Sequence, residues 1–313
     1  MIDRTVWGLF AALLVVLGAG FIAADWAQFL LVLALAKGMV VLGLLVLMRA
    51  GLVSFGQGLW YGLGCYAAGM AGNFLGVTDA FLLLALGIAA STTVAFILGF
   101  LLSRYREIFF ALLNMAFSMI LFGVLVKTSV LGSTDGFNVL TPTFLGYAPS
   151  EAALGDTVFL LTAVISFVVA VLIHWYLGST MGFIGEAIRE NELRVEYLGV
   201  SARRAVHIKL MIAAALSGIG GVLTAIAVGH VDPEMTYWTT SGEFVFVAIL
   251  SGTGSVAAPF MGSIIFEVLR TYAYEYSPYT WQMLMGAVML LVIIFLPGGL
   301  WSALSRSRKG EGK

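Results

Sequence analysis

Charged residues and cysteine are scarce in this sequence of 313 residues. Only 11 % of the residues are charged, whereas 61 % are hydrophobic, and the net charge of −1 gives no indication of nucleic-acid binding. The single cysteine, Cys65, cannot form a disulfide within the chain, and we interpret it as a small apolar packing residue. So little charge excludes an ordinary pair of soluble domains, for which the length would suffice.

Motifs of catalysis and nucleotide binding are also missing. The sequence has no Gly-x-x-x-x-Gly-Lys-Ser/Thr loop, so it does not bind ATP in that way. It has no His-Glu-x-x-His motif, and His174, His207 and His230 have no spacing suited to a metal ion. A membrane-embedded enzyme is therefore the least favoured class of function.

Long apolar runs fill most of the chain, and the mean hydropathy is +1.02. We predict an all-α polytopic membrane protein with about eight transmembrane helices plus a broken, re-entrant segment at 244–270. The first run, 6–23, is interpreted as a retained span because no convincing cleavage region follows it. The predicted spans are 6–23, 27–48, 51–75, 80–102, 108–130, 157–177, 205–229 and 280–296.

One segment, 179–209, departs from this composition. A charge at the centre of the membrane costs about 2.5–3.5 kcal/mol, so a segment with nine charges lies outside it. The charged residues are Glu186, Arg189, Glu190, Glu192, Arg194, Glu196, Arg203, Arg204 and Lys209.

The spacing within this segment predicts an amphipathic surface helix over about 180–199. Ser179 or Thr180 is suited to cap its start, Gly199 to end it, and Ser201 to cap the next helix. An ordinary loop lying on the bilayer is one interpretation. Four acids against five bases disfavour an anchor for anionic lipid, and a docking site for a protein partner fits better. The apolar stripe consists of Ile184, Ile188, Val195 and Leu198.

The basic residues predict the orientation, because Lys and Arg concentrate on the cytoplasmic side. If 244–270 enters the membrane and returns to the same side, 13 of the 16 bases share one side. The opposite loops, 131–156, 230–243 and 271–279, then contain no Lys or Arg, and both termini are cytoplasmic. A full crossing by 244–270 would place the basic tail outside. The 13 bases are Arg4, Arg49, Arg104, Arg106, Arg189, Arg194, Arg203, Arg204, Lys209, Arg306, Arg308, Lys309 and Lys313.

Three bases fall outside this set. Lys127 and Arg270 lie near the ends of their segments, where a long side chain reaches the membrane surface. Lys37 lies near the middle of the second span, and an intramembrane lysine indicates a functional site. It either pairs with an acid of a partner subunit or faces a water-filled cavity.

Two glycine-rich stretches, 51–66 and 248–262, are unlike plain spanning helices. In the first, small residues four apart favour close helix packing, whereas an unwound strip lining the solute path is the functional interpretation. The second breaks at 252–255, which predicts two short helices. The stretches lie in different halves of the chain, so an internal repeat is possible. The candidate pathway residues are Ser54, Gln57, Ser251 and Thr253.

Several of these blocks resemble the Liv-type permeases, the membrane subunits of branched-chain amino acid ABC transporters. The resemblance covers nearly the whole chain, although Phe55 and Gln57 stand where that family usually has Leu and His. The matching blocks are Gly51–Tyr66, Arg104–Met119, Ser133–Phe137, Glu186–Glu192, Leu198–Val200, Ala213–Gly221, Ser251–Gly262 and Phe295–Leu300.

The resemblance implies a transport subunit rather than an enzyme, with one permease domain over 1–313 and a basic cytoplasmic tail at 301–313. The helix at 180–199 would be the coupling helix that docks on the ATPase, and the chain itself would hold no cofactor, because its partners bind ATP. Implied partners are two cytoplasmic ATPase subunits, a second homologous permease and a periplasmic or extracellular solute-binding protein in an inner-membrane importer. The implied solutes are branched-chain amino acids, urea, short amides or small carboxylates. The coupling candidates are Glu186, Arg189, Glu190, Glu192, Arg194 and Gly199.

An ion-driven secondary transporter is the main alternative, and it would depend on Lys37. Neither it nor a membrane enzyme explains the charged segment 179–209. Asp232, Glu234 and Glu243 are predicted to be solvated loop charges on the outer side, and the alternative is that they receive the binding protein.

Overall fold

The computed structural model describes residues 3–296 and 298–302, and within them the protein is almost entirely helical. The helices are α1 (Arg4–Ile22), α2 (Asp25–Met48), α3 (Gln57–Leu75), α4 (Ala80–Leu102), α5 (Glu107–Lys127), α6 (Glu151–Leu177), α7 (Thr180–Tyr197), α8 (Ala202–Val228), α9 (Trp238–Ser251), α10 (Ala258–Tyr276) and α11 (Trp281–Phe295). A two-stranded antiparallel sheet pairs β1 (Phe137–Asn138) with β2 (His230–Val231).

Among the described residues, seven helical stretches are long and apolar enough to cross a membrane. They comprise α1, α2, α4, α5, α6, α8 and a stretch that begins with α11. This confirms the predicted all-α polytopic membrane protein. Helices α3 and α10 have 19 residues each, long enough to span, but α3 is rich in glycine and α10 carries three charges. Counting α3 as a crossing gives the predicted eight.

The centre of the bundle is α8, which packs against α2, α3 and α4. Small residues make these close contacts possible. A Cβ added at Gly43 would lie 2.8 Å from the carbonyl oxygen of Ala213, and one at Gly220 would lie 2.5 Å from that of Ala36. Gly64 faces Gly218 with no room for a methyl group. The close-packing interpretation of the glycines is therefore confirmed for the helical part of 51–66.

The chain is non-helical at the two predicted breaks. Residues 50–56 form turns and extended backbone before α3 begins, and residues 252–257 separate α9 from α10. Gly252 has a φ of +79° and packs against Gly298 and Gly299. The two helices of the second segment extend beyond the predicted 244–270 at both ends.

The prediction that 230–243 is an outer loop is wrong for the second half of this range. After β2 the chain turns into the bundle, where the carbonyl oxygen of Thr236 accepts a hydrogen bond of 2.6 Å from Ser118, near the middle of α5. Thr236 also packs on Gly62 of α3. Helix α9 therefore begins at the depth of the membrane interior, because buried backbone is satisfied there by α3 and α5.

We call the end of the bundle at which α7 lies the α7 face. Other parts of the chain meet at this end. His174 at the end of α6 lies 3.7 Å from Asp3, and Arg49 at the end of α2 donates to the carbonyl oxygen of Thr253 at 3.2 Å. Gly252 in turn contacts Gly299, beyond α11. Helix α10 therefore leads away from the α7 face and α11 leads back to it, which agrees with the re-entrant solution for 244–270.

Candidate functional site

Helix α7 consists of two helical parts joined at a corner. The backbone is helical to Glu190, becomes extended at Asn191 with φ −161° and ψ 98°, and then resumes its helical path. The Asn191 Oδ1 accepts a hydrogen bond of 3.0 Å from the backbone nitrogen of Arg194 and so caps the second part. The uninterrupted helix predicted over 180–199 is therefore wrong at Asn191.

The predicted ends of α7 are mostly confirmed. Gly199 is left-handed with a φ of +84°, and the Ser201 hydroxyl accepts a hydrogen bond of 3.3 Å from the backbone nitrogen of Arg204. Ser179 occupies the position before the first helical residue, Thr180. Its hydroxyl instead donates to the Tyr176 carbonyl oxygen at 2.6 Å, so its predicted capping role is wrong.

The apolar stripe holds α7 to the start of α8. Ile188 and Val195 are buried with Ala202 and Ala205, and Ile184 packs on them. The prediction is wrong for Leu198, which is 79 % exposed. The break at Asn191 changes the helical phase, and Leu198 has already left the helix, so its spacing no longer directs it to the core.

Two of the coupling candidates pair within this chain. Glu192 accepts two hydrogen bonds from Arg106, at 2.7 and 2.8 Å, and Glu186 accepts one from Arg49 at 3.2 Å. The stem of Arg189 covers Gly51, where an added Cβ would lie 3.2 Å from the Arg189 Cγ. These side chains attach α7 to the ends of α2 and α5, a role that the sequence did not reveal.

The remaining candidates face outward. Glu190 and Arg194 are exposed, as are Leu193, Glu196 and Tyr197, and we call these five residues the outer patch of α7. Leu193 and Tyr197 add large apolar surface at the end of the bundle. Exposed apolar groups rimmed by charges are typical of a protein docking surface.

A buried lysine connects α7 with the bundle. Lys209, on α8, is fully buried and donates to the Met181 carbonyl oxygen at 3.1 Å and to the Tyr176 hydroxyl at 3.3 Å. Its ammonium also lies 5.1 Å from the centre of the Tyr176 ring. One side chain thus links α6, the first turn of α7 and α8. Lys209 was counted from the sequence among the charges of 179–209 that lie outside the membrane, and its burial against α6 and α7 was not predicted.

The first pair of pathway candidates lies in a polar cluster at the start of α3. Ser54 and Gln57 are fully buried, and the Gln57 Oε1 accepts a hydrogen bond of 2.8 Å from Ser217 on α8. Asn114 on α5 and Ser241 on α9 are also fully buried, and the Ser241 Oγ accepts from the Gly58 nitrogen at 2.9 Å. Within the described part of the chain, Gln57 Nε2 and Asn114 Oδ1 have no hydrogen-bond partner. The cluster is uncharged and has spare hydrogen-bonding capacity.

The second pair has different surroundings. The Ser251 hydroxyl donates to the Ala248 carbonyl oxygen of its own helix at 3.1 Å, and its Cβ lies against Gly262. Thr253 lies in the loop at the α7 face, where its backbone is bound by Arg49. Both residues shape the turn between α9 and α10 at that end of the bundle, whereas Ser54 and Gln57 belong to the α3 cluster.

An ion-pair network of Lys37, Glu243, Glu267 and Arg270 lies between α2, α9 and α10. Lys37 Nζ is 2.6 Å from Glu267 Oε1, and Arg270 Nη1 is 3.1 Å from Glu243 Oε2 and 4.0 Å from Glu267 Oε1. Lys37 therefore pairs with an acid of its own chain, not with one of a partner. Arg270 also lies over the Trp281 ring at the start of α11, 5.4 Å from its centre. Glu243 belongs to α9 and is not a solvated loop charge. Glu267 was not predicted to take part, although its position three residues before Arg270 in an apolar segment was a signal.

Comparison with known proteins identifies the family. Residues 26–293 match the model of a family described as the branched-chain amino acid transport system permease component. The chain belongs to this family. It is the permease subunit of an ABC importer and a multi-pass membrane protein, which excludes the enzyme and ion-driven alternatives as its class.

Individual relatives agree with the family match. The chain is 29 % identical over 289 residues to the high-affinity branched-chain amino acid transport system permease protein LivM of Escherichia coli K12, covering 83 % of this chain and 67 % of the relative. Salmonella typhimurium LivM is 28 % identical over the same coverage. The nucleoside ABC transporter permease protein NupB of Lactococcus lactis is 28 % identical over 114 residues, 36 % of this chain and 31 % of the relative. No solved structure matches.

Proposed function

We propose that this permease imports branched-chain amino acids or a related small solute such as urea, a short amide or a small carboxylate. The family and the similarity to two LivM proteins support this solute class. The single domain would work with a second homologous permease, two ATPase subunits that bind the ATP, and a separate solute-binding protein. The observation that carries the coupling role is α7, a charged helix fixed to the bundle with one face left open.

The α7 face would be the cytoplasmic side of the inner membrane. Charged groups gather there, and Arg49, Arg106 and Lys209 all contact α7 or the turn before it. The binding protein would then deliver solute to the opposite face, where exposed Glu234 lies near the end of β2. The predicted tail was 301–313, and its residues 303–313 lie outside the described residues.

The contacts of α7 define a route for coupling. An ATPase seated on the outer patch pushes α7 when it closes, and the ion pairs transmit the displacement to α2 through Arg49 and to α5 through Arg106. Lys209 transmits it to α8, the helix that packs on most of the bundle. Since α8 also contacts Gln57 through Ser217, the route ends at the polar cluster beside the start of α3. Coupling thus needs two kinds of residue on α7, those that bind the ATPase and those that bind this chain.

Charge reversal at two glutamates distinguishes the α7 residues that bind the ATPase from those that bind this chain. Glu190→Arg alters the outer patch and is expected to reduce the ATPase recovered with the tagged permease in mild detergent. Glu192→Arg is expected to lower uptake by displacing α7, and the double variant Glu192→Arg with Arg106→Glu is expected to restore it, because the pair is reformed. Since both residues of the pair are partly exposed, the loss in the single variant is modest.

Two measurements test these roles: the proteins recovered with the tagged permease, and the uptake by the single and double variants. Recovery of an ATPase and a second permease with the wild-type chain, and uptake only when that ATPase is present, is the expected result. Full ATPase recovery by Glu190→Arg together with failure of the double variant to regain uptake would contradict the assigned roles. Uptake that persists without the ATPase would overturn the import mechanism itself.

A further inference from the structure

The ion-pair network lies in the interior of the membrane. Lys37 is near the middle of α2 and Glu267 is near the middle of α10. Glu243 follows the segment whose Thr236 is bound to Ser118 at the middle of α5. Lys37, Glu243 and Glu267 are therefore far from either membrane surface, and each depends on its surroundings for stabilisation. Arg270 lies nearer the start of α11, with its guanidinium carbon 5.4 Å from the centre of the Trp281 ring.

The network is not sealed inside the bundle. The exposed fraction of the side chain is 17 % for Lys37, 24 % for Glu243 and 35 % for Arg270. Charges at this depth that face hydrocarbon cost about 2.5–3.5 kcal/mol each, and an ion pair does not solvate the parts that remain exposed. A lipid boundary on this flank is therefore unfavourable.

The surroundings of the network are both polar and apolar. Beside it lies a small cavity lined by the network residues Lys37, Glu243 and Glu267, by Ser263, and by Phe244, Val247 and Phe266. Within the described chain, the buried Ser263 hydroxyl has no hydrogen-bond partner. Helix α10 exposes Thr271 further along the same helix. The neighbouring α11 differs, because its exposed residues include Leu290, Leu291 and Ile294, as a lipid-facing helix requires.

We propose that the flank of the bundle formed by Lys37, Glu243 and Arg270 borders the water-filled solute passage. Water solvates the exposed parts of the charges, while the pairs keep α2, α9 and α10 together. The network therefore holds three helices together, and its location shows which side of this permease faces the passage. This inference depends on the proposed import function, because a passage requires the assembled transporter.

Cysteine accessibility in the assembled transporter tests the proposal. Cys65 is buried, so Cys65→Ala provides a background for Phe246→Cys and Val164→Cys. Phe246 lies three residues after Glu243, on the same face of α9, and both Phe246 and Val164 are 42 % exposed on the bundle. The probe is a charged, membrane-impermeant methanethiosulfonate. Phe246→Cys is expected to react at least about 100-fold faster than Val164→Cys on α6, because only a hydrated thiolate reacts.

Thr239→Cys, four residues before Glu243 on the same face of α9, provides a second position should Phe246→Cys fail to assemble. Equal and negligible reaction of the α9 thiols and of Val164→Cys, in transporters that still import solute, would overturn the proposal. That result would leave ATP-driven import intact, because uptake is measured in the same cells. Loss of ATP dependence would instead reject the proposed function, whichever thiols react.

Discussion

Two glycines with the same backbone conformation have different expected importance. Gly199 has a φ of +84° and Gly146 has a φ of +83°, and neither has an atom within 4 Å of an added Cβ. Valine at either position is strained by about 1–2 kcal/mol through the left-handed backbone alone. Gly199→Val is expected to abolish ATP-coupled uptake, because Gly199 sets the direction in which the chain leaves α7.

Gly146→Val is the matched control, since it lies in the loop between α5 and α6 at the opposite end of the bundle. We expect it to insert and to import solute nearly as well as the wild type, measured as substrate uptake per inserted protein. Equal effects of the two valines would show that backbone strain, not the end of α7, limits transport.

Lys209 provides a second prediction at the residue scale. Lys209→Met keeps the length of the side chain but removes its hydrogen bonds to the Met181 carbonyl and the Tyr176 hydroxyl. A hydrogen bond from a charged donor is worth about 1.5–3 kcal/mol, so we expect uptake to fall about tenfold or more. The protein should still fold, because methionine fills the same buried volume.

The measurement is uptake together with ATP hydrolysis in reconstituted transporters. Retained hydrolysis with lost uptake is expected, since the ATPase still binds the outer patch of α7. Lys127→Met is the control, because Lys127 is exposed at the end of α5. A loss of protein from the membrane in Lys209→Met would show that the lysine is needed for folding and not for coupling.

At the scale of elements, helix contacts through glycine decide the stability of the bundle. Gly64 of α3 faces the backbone of Gly218 in α8, whereas Gly123 of α5 has no atom within 4 Å of an added Cβ. Gly64→Ala is expected to destabilise the protein by about 1–3 kcal/mol, because α3 and α8 must separate. Gly123→Ala is expected to be neutral or stabilising by up to about 1 kcal/mol, because alanine favours the helix.

Thermal unfolding in one detergent compares the two variants directly. A lower midpoint for Gly64→Ala and an unchanged or higher midpoint for Gly123→Ala agree with the packing. If both variants unfold like the wild type, the α3–α8 contact is looser than the structure indicates.

Helix α7 has some features that neighbouring residues determine and others that depend on distant contacts. Its start, its glycine stop and the cap of α8 follow from neighbouring residues and were therefore predictable from the sequence. The corner at Asn191 did not follow from spacing, because it depends on Arg106 and Arg49 holding the two parts of α7 in different places. Leu198 was misplaced for the same reason.

At the scale of the whole molecule, the orientation can be tested with two exposed positions. In the Cys65→Ala background, Arg104→Cys lies between α4 and α5 at the α7 face, and Tyr147→Cys lies at the opposite end. We expect an impermeant maleimide to label Tyr147→Cys in spheroplasts of intact cells and Arg104→Cys only in inverted vesicles. The reversed pattern would place α7 outside and contradict docking on a cytoplasmic ATPase. The single-domain organisation and the internal repeat stay predictions.

The sequence by itself determined the class, the spans, the break between α9 and α10, and the charged helix outside the membrane. These depend on hydropathy, glycine and charge along the chain, which are local properties. Only the tertiary structure decided what each charge contacts: Lys37 with Glu267, Lys209 with the start of α7, and Glu192 with Arg106. These partners lie between 28 and 230 residues apart, and the way the helices pack brings them together. The physical reason is that a charge in apolar surroundings must find a partner, while the sequence does not state which distant residue the fold will place beside it.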